Sequence, residues 1–308
     1  MKKIKVLCIV LFLATIAAAQ QDPLYSMYMF NQLGINPAYA GTRDALSANL
    51  FYRNQWTGFE GAPVTEVFNV HAPLRNEHVG VGLQIAEDQL GPTKTTSVMA
   101  TYSYKLKLKR GKLSFGLSGG LMDQVINYSL IDYQDKSDAF ANMGTVGKMM
   151  PSFDFGIYYY TKSFYIGYSA THINSPQYAI STTDTAGKAV RALIMSHHFF
   201  TIGKAWVINH NLVFRPSLLF KVVAGAPGSL DLDASFLIKK TLWLGLTVRS
   251  SGSLAVIAQY TIHDKIRIGY AYDINYAGIG LYARSSNELF LGYDLNVFKA
   301  KTLSTRYF

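Results

Sequence analysis

The sequence predicts an all-β fold: a transmembrane antiparallel β-barrel of about 14 strands with long external loops and short periplasmic turns. Apolar side chains alternate with small or polar ones along most of the chain, and the connections between these segments tend to alternate between long and short. After residue 19, no segment has the roughly 18 continuous apolar residues of a transmembrane helix. A chain that crosses a membrane without such a helix must close into a barrel, because lipid satisfies no backbone hydrogen bonds.

Residues 1–19 have the pattern of a secretory signal peptide, which is removed from the mature protein. Three lysines among the first five residues precede an apolar run, and small residues up to Ala19 suit a cleavage site ahead of Gln20. The only cysteine of the sequence, Cys8, lies inside this peptide, so the mature chain has no thiol. Disulfide bonds, a cysteine-based metal site and a thiol nucleophile are therefore excluded.

The charge of the chain is moderately basic. The formal net charge of +10 includes the three lysines of the signal peptide, so the mature chain carries +7. Basic residues gather in short segments at 105–112 and 239–240 and form no long block, which is typical of solvated turns. We therefore predict contact with outer-membrane lipid and not with nucleic acid.

Residues 20–43 form a leader whose pattern differs from that of the chain after it. Its central stretch, Asp22 to Gly41, contains two prolines and several aromatic residues without a period of two. These features disqualify it as a lipid-facing strand. Because it precedes the first strand, we expect the leader to pack in the lumen or at the periplasmic mouth, followed by the barrel over 44–297 and a periplasmic tail over 298–308.

The segment 112–127 is the clearest of the predicted strands. Leu113, Phe115 and Leu117 alternate with Ser114 and Gly116, which gives one apolar face and one small or polar face. The predicted strands lie near 44–53, 64–73, 78–87, 94–107, 112–127, 150–161, 163–173, 192–204, 210–223, 229–238, 241–249, 252–262, 265–274 and 287–297.

Connections of two lengths join these strands. Longer ones are predicted at 53–63, 88–93, 128–149, 174–191 and 275–286, and tight turns at 75–77, 109–111, 161–163, 239–240 and 263–264. Long external loops opposite short periplasmic turns, with an even number of strands, are typical of outer-membrane barrels.

A soluble β-sandwich is the main alternative fold, since its strands also alternate. A sandwich usually gives its outer face to charged residues, whereas the second face here carries mostly Gly, Ser, Thr and Asn with scattered opposite charges. Such a face suits a crowded polar lumen, in which small residues admit other segments and opposite charges pair, so it favours the barrel. The charges are Arg215, Arg249 and Arg267 with Asp231, Asp233 and Asp294.

The catalytic and metal-binding patterns of the chain have simpler explanations. Gly116 to Gly120 matches the G-x-S-x-G of a nucleophile elbow, but an elbow needs a strand-to-helix turn and these residues lie inside a predicted strand. His197 and His198 are adjacent, and adjacent strand residues point to opposite faces. Asp231 and Asp233 could bind a cation, but nearby arginines make charge pairing the simpler account. We predict that the protein is not an enzyme and has no cofactor or metal site.

The loop 54–63 combines two aromatic residues, two glycines and a proline. Exposed aromatic residues in a loop are typical of a binding surface. Trp56 and Phe59 could equally tuck into the barrel mouth or mark the lipid interface, and the sequence leaves both interpretations open.

Two motifs carry a resemblance to a known family. The leader contains Asp22-Pro23, Tyr25-Ser26, Tyr28-Met29, Asn31 and Asn36-Pro37-Ala38-Tyr39-Ala40-Gly41, and the loop region contains Arg53, Gln55-Trp56, Gly58 and Ala62-Pro63. This pattern resembles the PorP/SprF family of type IX secretion system outer-membrane proteins, with weaker likenesses at 269–273 and 306–308. One departure is Asn287-Glu288, where the family pattern tends to have His-Glu. The candidate partner-binding or family-motif residues are Asn31, Asn36, Pro37, Tyr39, Gly41, Arg53, Gln55, Trp56, Phe59 and Pro63.

The resemblance implies an outer-membrane barrel of the Bacteroidetes lineage that works with the type IX secretion and gliding apparatus. Such a barrel would bind a large secreted adhesin through the adhesin's C-terminal domain and help to export or anchor it, or would connect secretion components to the outer membrane. We expect partner contact in the loops 53–63, 128–149 and 174–191. The alternatives are an outer-membrane porin or solute transporter, which needs an open lumen, and an outer-membrane hydrolase, which would depend on Ser118.

Overall fold

The computed structural model describes residues 22–75, 77–134, 140–141, 143–183, 189–283 and 285–296. The predicted signal peptide and the predicted tail over 298–308 lie outside the described residues, as do the last three residues of the family resemblance. The strands, in chain order, are β1 (Leu46–Asn54), β2 (Val64–Pro73), β3 (Val79–Leu90), β4 (Thr93–Leu108), β5 (Gly111–Asn127), β6 (Thr145–Tyr160), β7 (Phe164–Thr171), β8 (Gln177–Thr183), β9 (Ala189–Leu193), β10 (His197–Lys204), β11 (Trp206–Asn209), β12 (Leu212–Val223), β13 (Ser229–Ile238), β14 (Leu242–Arg249), β15 (Ser253–Ile262), β16 (Ile266–Asn275) and β17 (Ser285–Leu295).

These strands close into one antiparallel ring. β1 pairs with β2 on one side and with β17 on the other, and β10 joins the two halves by pairing with both β7 and β12. β10 and β11 are separated by Ala205 alone and both pair with β12, so together they count as one strand of the ring. β8 and β9 pair with each other as a hairpin outside the ring. The predicted antiparallel barrel of 14 strands is confirmed.

The four longest connections all lie at the same end of the barrel, together with some short turns, and the other end has short turns alone. The turns at 74–78, 109–110, 161–163, 210–211, 239–241 and 263–265 lie at one end, called the short-turn end below. The connections at 55–63, 91–92, 128–144, 172–196, 224–228, 250–252 and 276–284 lie at the other, the long-loop end. In outer-membrane barrels the short turns are periplasmic and the long loops external.

Some predicted connections differ from the structure. The longer loop expected at 88–93 is wrong: β3 continues to Leu90 and β4 starts at Thr93, so two residues make the turn. The loop expected at 174–191 contains the β8–β9 hairpin, and β6 begins at Thr145, ahead of the expected position near 150. At the end of β3 and the start of β6 the strand ladder continues where apolar alternation has faded, and alternation is the signal on which the prediction depended.

Apolar side chains cover the outer face of the ring, as the alternation predicts. Leu50 on β1 is 47% exposed and Leu117 on β5 is 58% exposed, whereas their inward neighbours Asn49 and Ser118 are buried. An apolar outer face around a polar interior is the arrangement of an outer-membrane barrel. Within the described residues, no helix is long and apolar enough to span a bilayer.

Candidate functional site

The leader runs through the inside of the ring from the long-loop end to the short-turn end. Asp22 bonds to residues of β7, β10 and β12 close to the long loops, and Gly41 bonds to residues of β2 and β4 close to the short turns. Between them lie a one-turn helix α1 (Gln32–Ile35) and a 3-10 turn (Pro37–Tyr39). Residues 26–29 and most of 31–41 are buried. The leader therefore occupies the interior that the strands enclose.

Barrel residues bond to the backbone and the side chain of Asp22. Its backbone N–H donates to His197 Nε2 at 3.0 Å, and its backbone carbonyl accepts from Lys221 Nζ at 3.0 Å. Its carboxylate accepts from Thr171 Oγ1 at 3.1 Å and lies 3.2 Å from His172 Nε2. Partners from three strands and one loop therefore fix the start of the leader.

Electrostatics reinforce this anchor. Burial opposes ionisation of Asp22, but attraction to His172, the hydrogen bond to His172 and attraction to Lys221 outweigh it and hold the pKa of the Asp22 carboxyl well below its ordinary value. Burial also opposes the charged form of His172, but attraction to Asp22, its hydrogen bond and Asp154 outweigh burial and raise the pKa of the His172 imidazole. The structure therefore favours an ion pair between Asp22 and His172.

A buried ionic cluster holds the next part of the leader. Arg53 contacts Asp273 at 2.7 Å and Glu288 at 2.9 Å, and all three side chains are almost fully buried. Ser26 donates its backbone N–H to Glu288 at 2.7 Å and its hydroxyl to Asp273 at 2.6 Å, and Met27 donates its backbone N–H to Glu288 at 3.2 Å. Two carboxylates and one guanidinium leave an excess negative charge, which these leader donors partly satisfy.

Glycines on the inner face of the barrel make room for residues 36–40 of the leader. Gly116 on β5 lies so close to the leader that a Cβ there would overlap the backbone of Ala38. A Cβ at Gly80 on β3 would likewise overlap the carbonyl of Ala40. The small residues that the sequence places on the inner face therefore form the groove in which this part of the leader lies.

Asn36 connects the leader to two neighbouring strands. Its side-chain N–H groups donate to the carbonyls of Ile157 at 3.1 Å and Tyr168 at 3.2 Å, which face each other across β6 and β7. Its side-chain oxygen accepts from the backbone N–H of Ala38 at 2.9 Å and caps the 3-10 turn. One amide therefore orients the turn and ties it to the wall.

The leader leaves the interior at Gly41, which has a φ of 64°. Gly41 donates its N–H to His71 Nδ1 at 3.1 Å, and its carbonyl accepts from Lys105 Nζ at 2.6 Å. Arg43 then pairs with Asp294 on β17 at 2.8 Å. Glycine adopts this left-handed backbone conformation at little cost, so the chain can turn here into β1.

The inward-facing charges predicted to pair do so at two places. Arg249 contacts Asp231 at 3.0 Å, and Arg267 contacts Asp294 at 3.0 Å. Arg215 places its guanidinium 3.9 Å from the ring centroid of Trp243 and 5.3 Å from that of the leader residue Phe30. The lumen charges therefore stabilise the interior both by pairing and by cation–π contact.

An empty space of about 950 Å³, part of which is open solvent, remains beside the leader toward the long-loop end. The leader residues Asp22 to Tyr25 line one side of it, and β2, β3, β4 and β12 supply much of the rest. The leader therefore leaves part of the interior unfilled at the long-loop end. We call this space the vestibule.

The loop 55–63 is tied to neighbouring segments at the long-loop end. Thr57 donates its backbone N–H to the carbonyl of Ser285 at 2.8 Å and accepts from the Asn287 side chain at 3.0 Å. The backbone N–H of Gly91 donates to the carbonyl of Gly61 at 2.9 Å. Asn287, where the sequence departs from the family pattern, therefore makes a local contact with this loop.

The candidate site residues fall into two groups. Gln55, Trp56 and Pro63 are partly buried in the loop, and Phe59 is 45% exposed there. The other six are buried in the interior, so contact with an outside partner stays a prediction for the loop residues alone. The buried candidates are Asn31, Asn36, Pro37, Tyr39, Gly41 and Arg53.

Several interior residues that organise the leader were not among the candidates. Asp22 and Ser26 make the bonds described above, and Asp273 and Glu288 hold Arg53. A signal for the last two was present, because both occupy inward positions of predicted strands and each needs a buried cation. Their partner could not be identified from spacing, since Arg53 on β1 meets Asp273 on β16 and Glu288 on β17 only after the ring closes.

The motif Gly116 to Gly120 lies within the regular strand β5, and the Ser118 hydroxyl is 2.7 Å from the hydroxyl of Thr101. His197 points inward and is buried, while His198 lies beside the ring of Tyr168 on the other face of β10. Among the described residues, no group of three or more His, Asp or Glu is arranged to hold a metal ion.

Comparison with known proteins identifies a family and a fold. The family model for the type IX secretion system membrane protein PorP/SprF matches residues 17–293. No curated protein matches the sequence. A crystal structure of a FadL homologue from Pseudomonas aeruginosa is similar with a TM-score of 0.52 at 11% identity, over 90% of this chain and 96% of that one. The toluene transporter TodX from Pseudomonas putida has a TM-score of 0.48 at 11% identity, over 92% and 96%. At 11% identity the likeness to the FadL homologue shows the barrel fold alone.

Proposed function

This chain belongs to the PorP/SprF family of type IX secretion system membrane proteins, and from that premise we propose that it is a non-enzymatic docking barrel. It binds a large secreted adhesin through the adhesin's C-terminal domain and helps to export or anchor it at the outer membrane. It does so together with other components of the secretion and gliding apparatus of a Bacteroidetes cell.

The observation that carries this proposal is the bonding of the leader to opposite walls of the lumen. Ser26 bonds to β16 and β17, while Asn36 bonds to β6 and β7 on the far side of the ring. A segment held in this way leaves the barrel little freedom to conduct solutes. A closed barrel with organised loops suits a rigid platform for a protein partner.

The proposed partner surface lies at the long-loop end. The loop 55–63 is held by hydrogen bonds to Ser285, Asn287 and Gly91, so its exposed side chains are presented in a defined geometry. Phe59 supplies an exposed aromatic anchor of the kind enriched in protein interfaces. The described parts of the loops 128–149 and 174–191 extend the same end of the barrel.

Co-purification from the native membrane tests this function. The barrel, tagged in a short turn at 239–240, is isolated in mild detergent and the bound chains are identified by mass spectrometry. An unrelated outer-membrane barrel with the same tag serves as the control. We expect a secreted adhesin or a type IX component with this barrel and not with the control; recovery of neither would overturn the proposal.

An outer-membrane porin or solute transporter is the second candidate, because the vestibule offers about 950 Å³ of open space. Conduction requires that this space continue past the leader to the short-turn end. Single-channel recording of the purified protein separates the two functions. We expect a small or absent conductance, whereas a large and steady conductance would favour the porin.

A hydrolase would lose its activity in Ser118→Ala, and we expect no activity on lipid or peptide substrates in either the parent protein or that variant.

A further inference from the structure

The vestibule has an apolar part and an acidic part. The apolar part comprises Leu24, Ile35, Met99, Met122, Phe199 and Leu219. The acidic part comprises Asp22, Asp88, Asp154 and Asp231, against which the lining sets Lys221 and His172. The chain as a whole has a formal net charge of +10, so this acidic lining is a local reversal of the overall charge.

Two of the four carboxylates have a cation beside them. Asp22 is 3.2 Å from His172 Nε2, and Asp231 contacts Arg249 at 3.0 Å. Asp88 accepts from the Thr65 hydroxyl at 2.6 Å.

Asp154 accepts from the backbone N–H of His172 at 3.0 Å. In the part of the chain that the structure describes, neither Asp88 nor Asp154 forms a salt bridge. Asp88 thus lacks a paired cation in this partly enclosed space, and Asp154 shares the charge of His172 with Asp22. Both conditions favour uptake of a further cation.

A third acceptor lies beside the same space. Gln124 faces inward on β5 opposite Thr95, which lines the vestibule, and two residues after Met122, which also lines it. Gln124 is 3% exposed, and its Oε1 has no hydrogen-bond partner among the described residues. A buried amide oxygen without a donor is costly, and an N–H group of a bound chain would satisfy it.

We propose that the vestibule is a docking site for a segment of a partner protein in which a lysine or arginine side chain is flanked by apolar side chains. The basic group binds Asp88, the apolar neighbours bury themselves against Phe199 and Leu219, and Asp154 adds negative charge elsewhere in the lining. This partly enclosed space admits the side chains of a short segment and not a folded domain. The identity of the partner as an exported protein rests on the proposed function; the chemistry of the site does not.

Peptide binding to the full mature protein in detergent tests the site. The probes are two fluorescein-labelled peptides, one that alternates leucine with lysine and one that alternates leucine with glutamate. Their binding is measured by fluorescence anisotropy. We expect the lysine peptide to bind at least about tenfold more tightly than the glutamate peptide, and unlabelled lysine amide to compete weakly. Equal binding of both peptides, binding of neither, or full competition by lysine amide would overturn the proposal.

Substitutions locate the binding within the protein. The double variant Asp88→Asn and Asp154→Asn keeps an oxygen acceptor at both positions and should weaken the lysine peptide by about tenfold or more. Asp264→Asn, which removes a carboxylate at the short-turn end, should leave the affinity unchanged. Ala86→Lys places a cation in the vestibule lining and should also weaken binding, which keeps the test decisive if the double variant fails to fold. Unchanged affinity in both folded variants would overturn the site. Loss of adhesin co-purification with intact peptide binding would instead remove the proposed function and leave the site.

Discussion

The backbone N–H of Ser26 in the leader donates to the carboxylate of Glu288 in the last strand at 2.7 Å. Glu288 faces Arg53 directly across the β1–β17 pair, where the first and last strands of the barrel meet. The leader is thus bonded to the seam that closes the ring. Seating of the leader and closure of the barrel are therefore coupled, since both depend on the same carboxylate.

Replacement of Arg53 tests this coupling. Arg53→Ala leaves Asp273 and Glu288 buried without their cation, and loss of one partner from a buried ionic cluster costs about 3–5 kcal/mol. We expect a large fall in the free energy of unfolding, measured by urea denaturation in detergent. Arg53→Lys retains the charge but not the forked geometry, so its free energy of unfolding should lie between those of Arg53→Ala and the parent protein. Arg75→Ala, in an exposed turn, should change stability by less than about 0.5 kcal/mol; a similar loss in both alanine variants would contradict the seam role.

Much of the fold could be predicted because each strand carries its own signal. The alternation around Leu113 to Leu117 is complete within one segment, and the outward face meets lipid whatever the neighbouring strand is. The path of the leader could not be predicted in the same way. Ser26 and Glu288 are 262 residues apart, and their contact depends on ring closure and register rather than on local pattern. Inner-face glycines such as Gly116 indicated that something approaches closely, but not which segment.

The glycine groove predicts a way to displace the leader without changing it. Gly116→Val adds atoms where the backbone of Ala38 lies, so the leader must move or the barrel must strain. We expect an increased single-channel conductance and faster protease cleavage within residues 31–41. Gly119→Ala lies on the outer face of the same strand, where the added methyl meets a side chain of Phe153 at 3.3 Å. That control should behave as the parent protein does. Equal conductance in the parent, Gly116→Val and Gly119→Ala would show that the leader does not close the lumen.

The anchor at Asp22 predicts a dependence of stability on pH. The pKa of Asp22 is lowered from its ordinary 3.8, so its contribution is present above that pH and is lost as the pH falls through the lowered value. The pKa of His172 is raised from its ordinary 6.5, so its contribution is complete below pH 6.5 and is lost as the pH rises through the raised value.

The two contributions overlap between about pH 4 and pH 6.5. We expect the melting temperature of the parent protein to exceed that of Asp22→Asn most in this window, and the difference to shrink at pH 9. His197, Lys221 and Asp154 also face the pair, and they are unchanged in this comparison. A difference that grows steadily with pH would contradict the ion pair.

The direction of the leader predicts where the mature amino terminus lies. Asp22 is bound at the long-loop end, which is external in outer-membrane barrels. An epitope inserted directly ahead of Asp22 should therefore bind antibody on intact cells. The same epitope inserted at 239–240, in a short turn, should be detected only after the outer membrane is permeabilised. The reverse pattern would mean that the leader enters from the other side.

The loop 55–63 predicts an energetic anchor for the partner. Phe59 is 45% exposed at the long-loop end, within a loop whose backbone is bonded to Ser285 and Gly91. Removal of its ring should leave the loop in place, because those bonds involve the backbone. An aromatic residue that is a hot spot of an interface contributes about 2 kcal/mol or more to binding. We expect Phe59→Ala to reduce the amount of co-purified adhesin severalfold without lowering the amount of folded barrel in the membrane. Leu74→Ala removes a similarly exposed apolar side chain at the short-turn end and should have no effect. If Leu74→Ala alone lowers adhesin recovery, the partner binds at the periplasmic end of the barrel and not at its external rim.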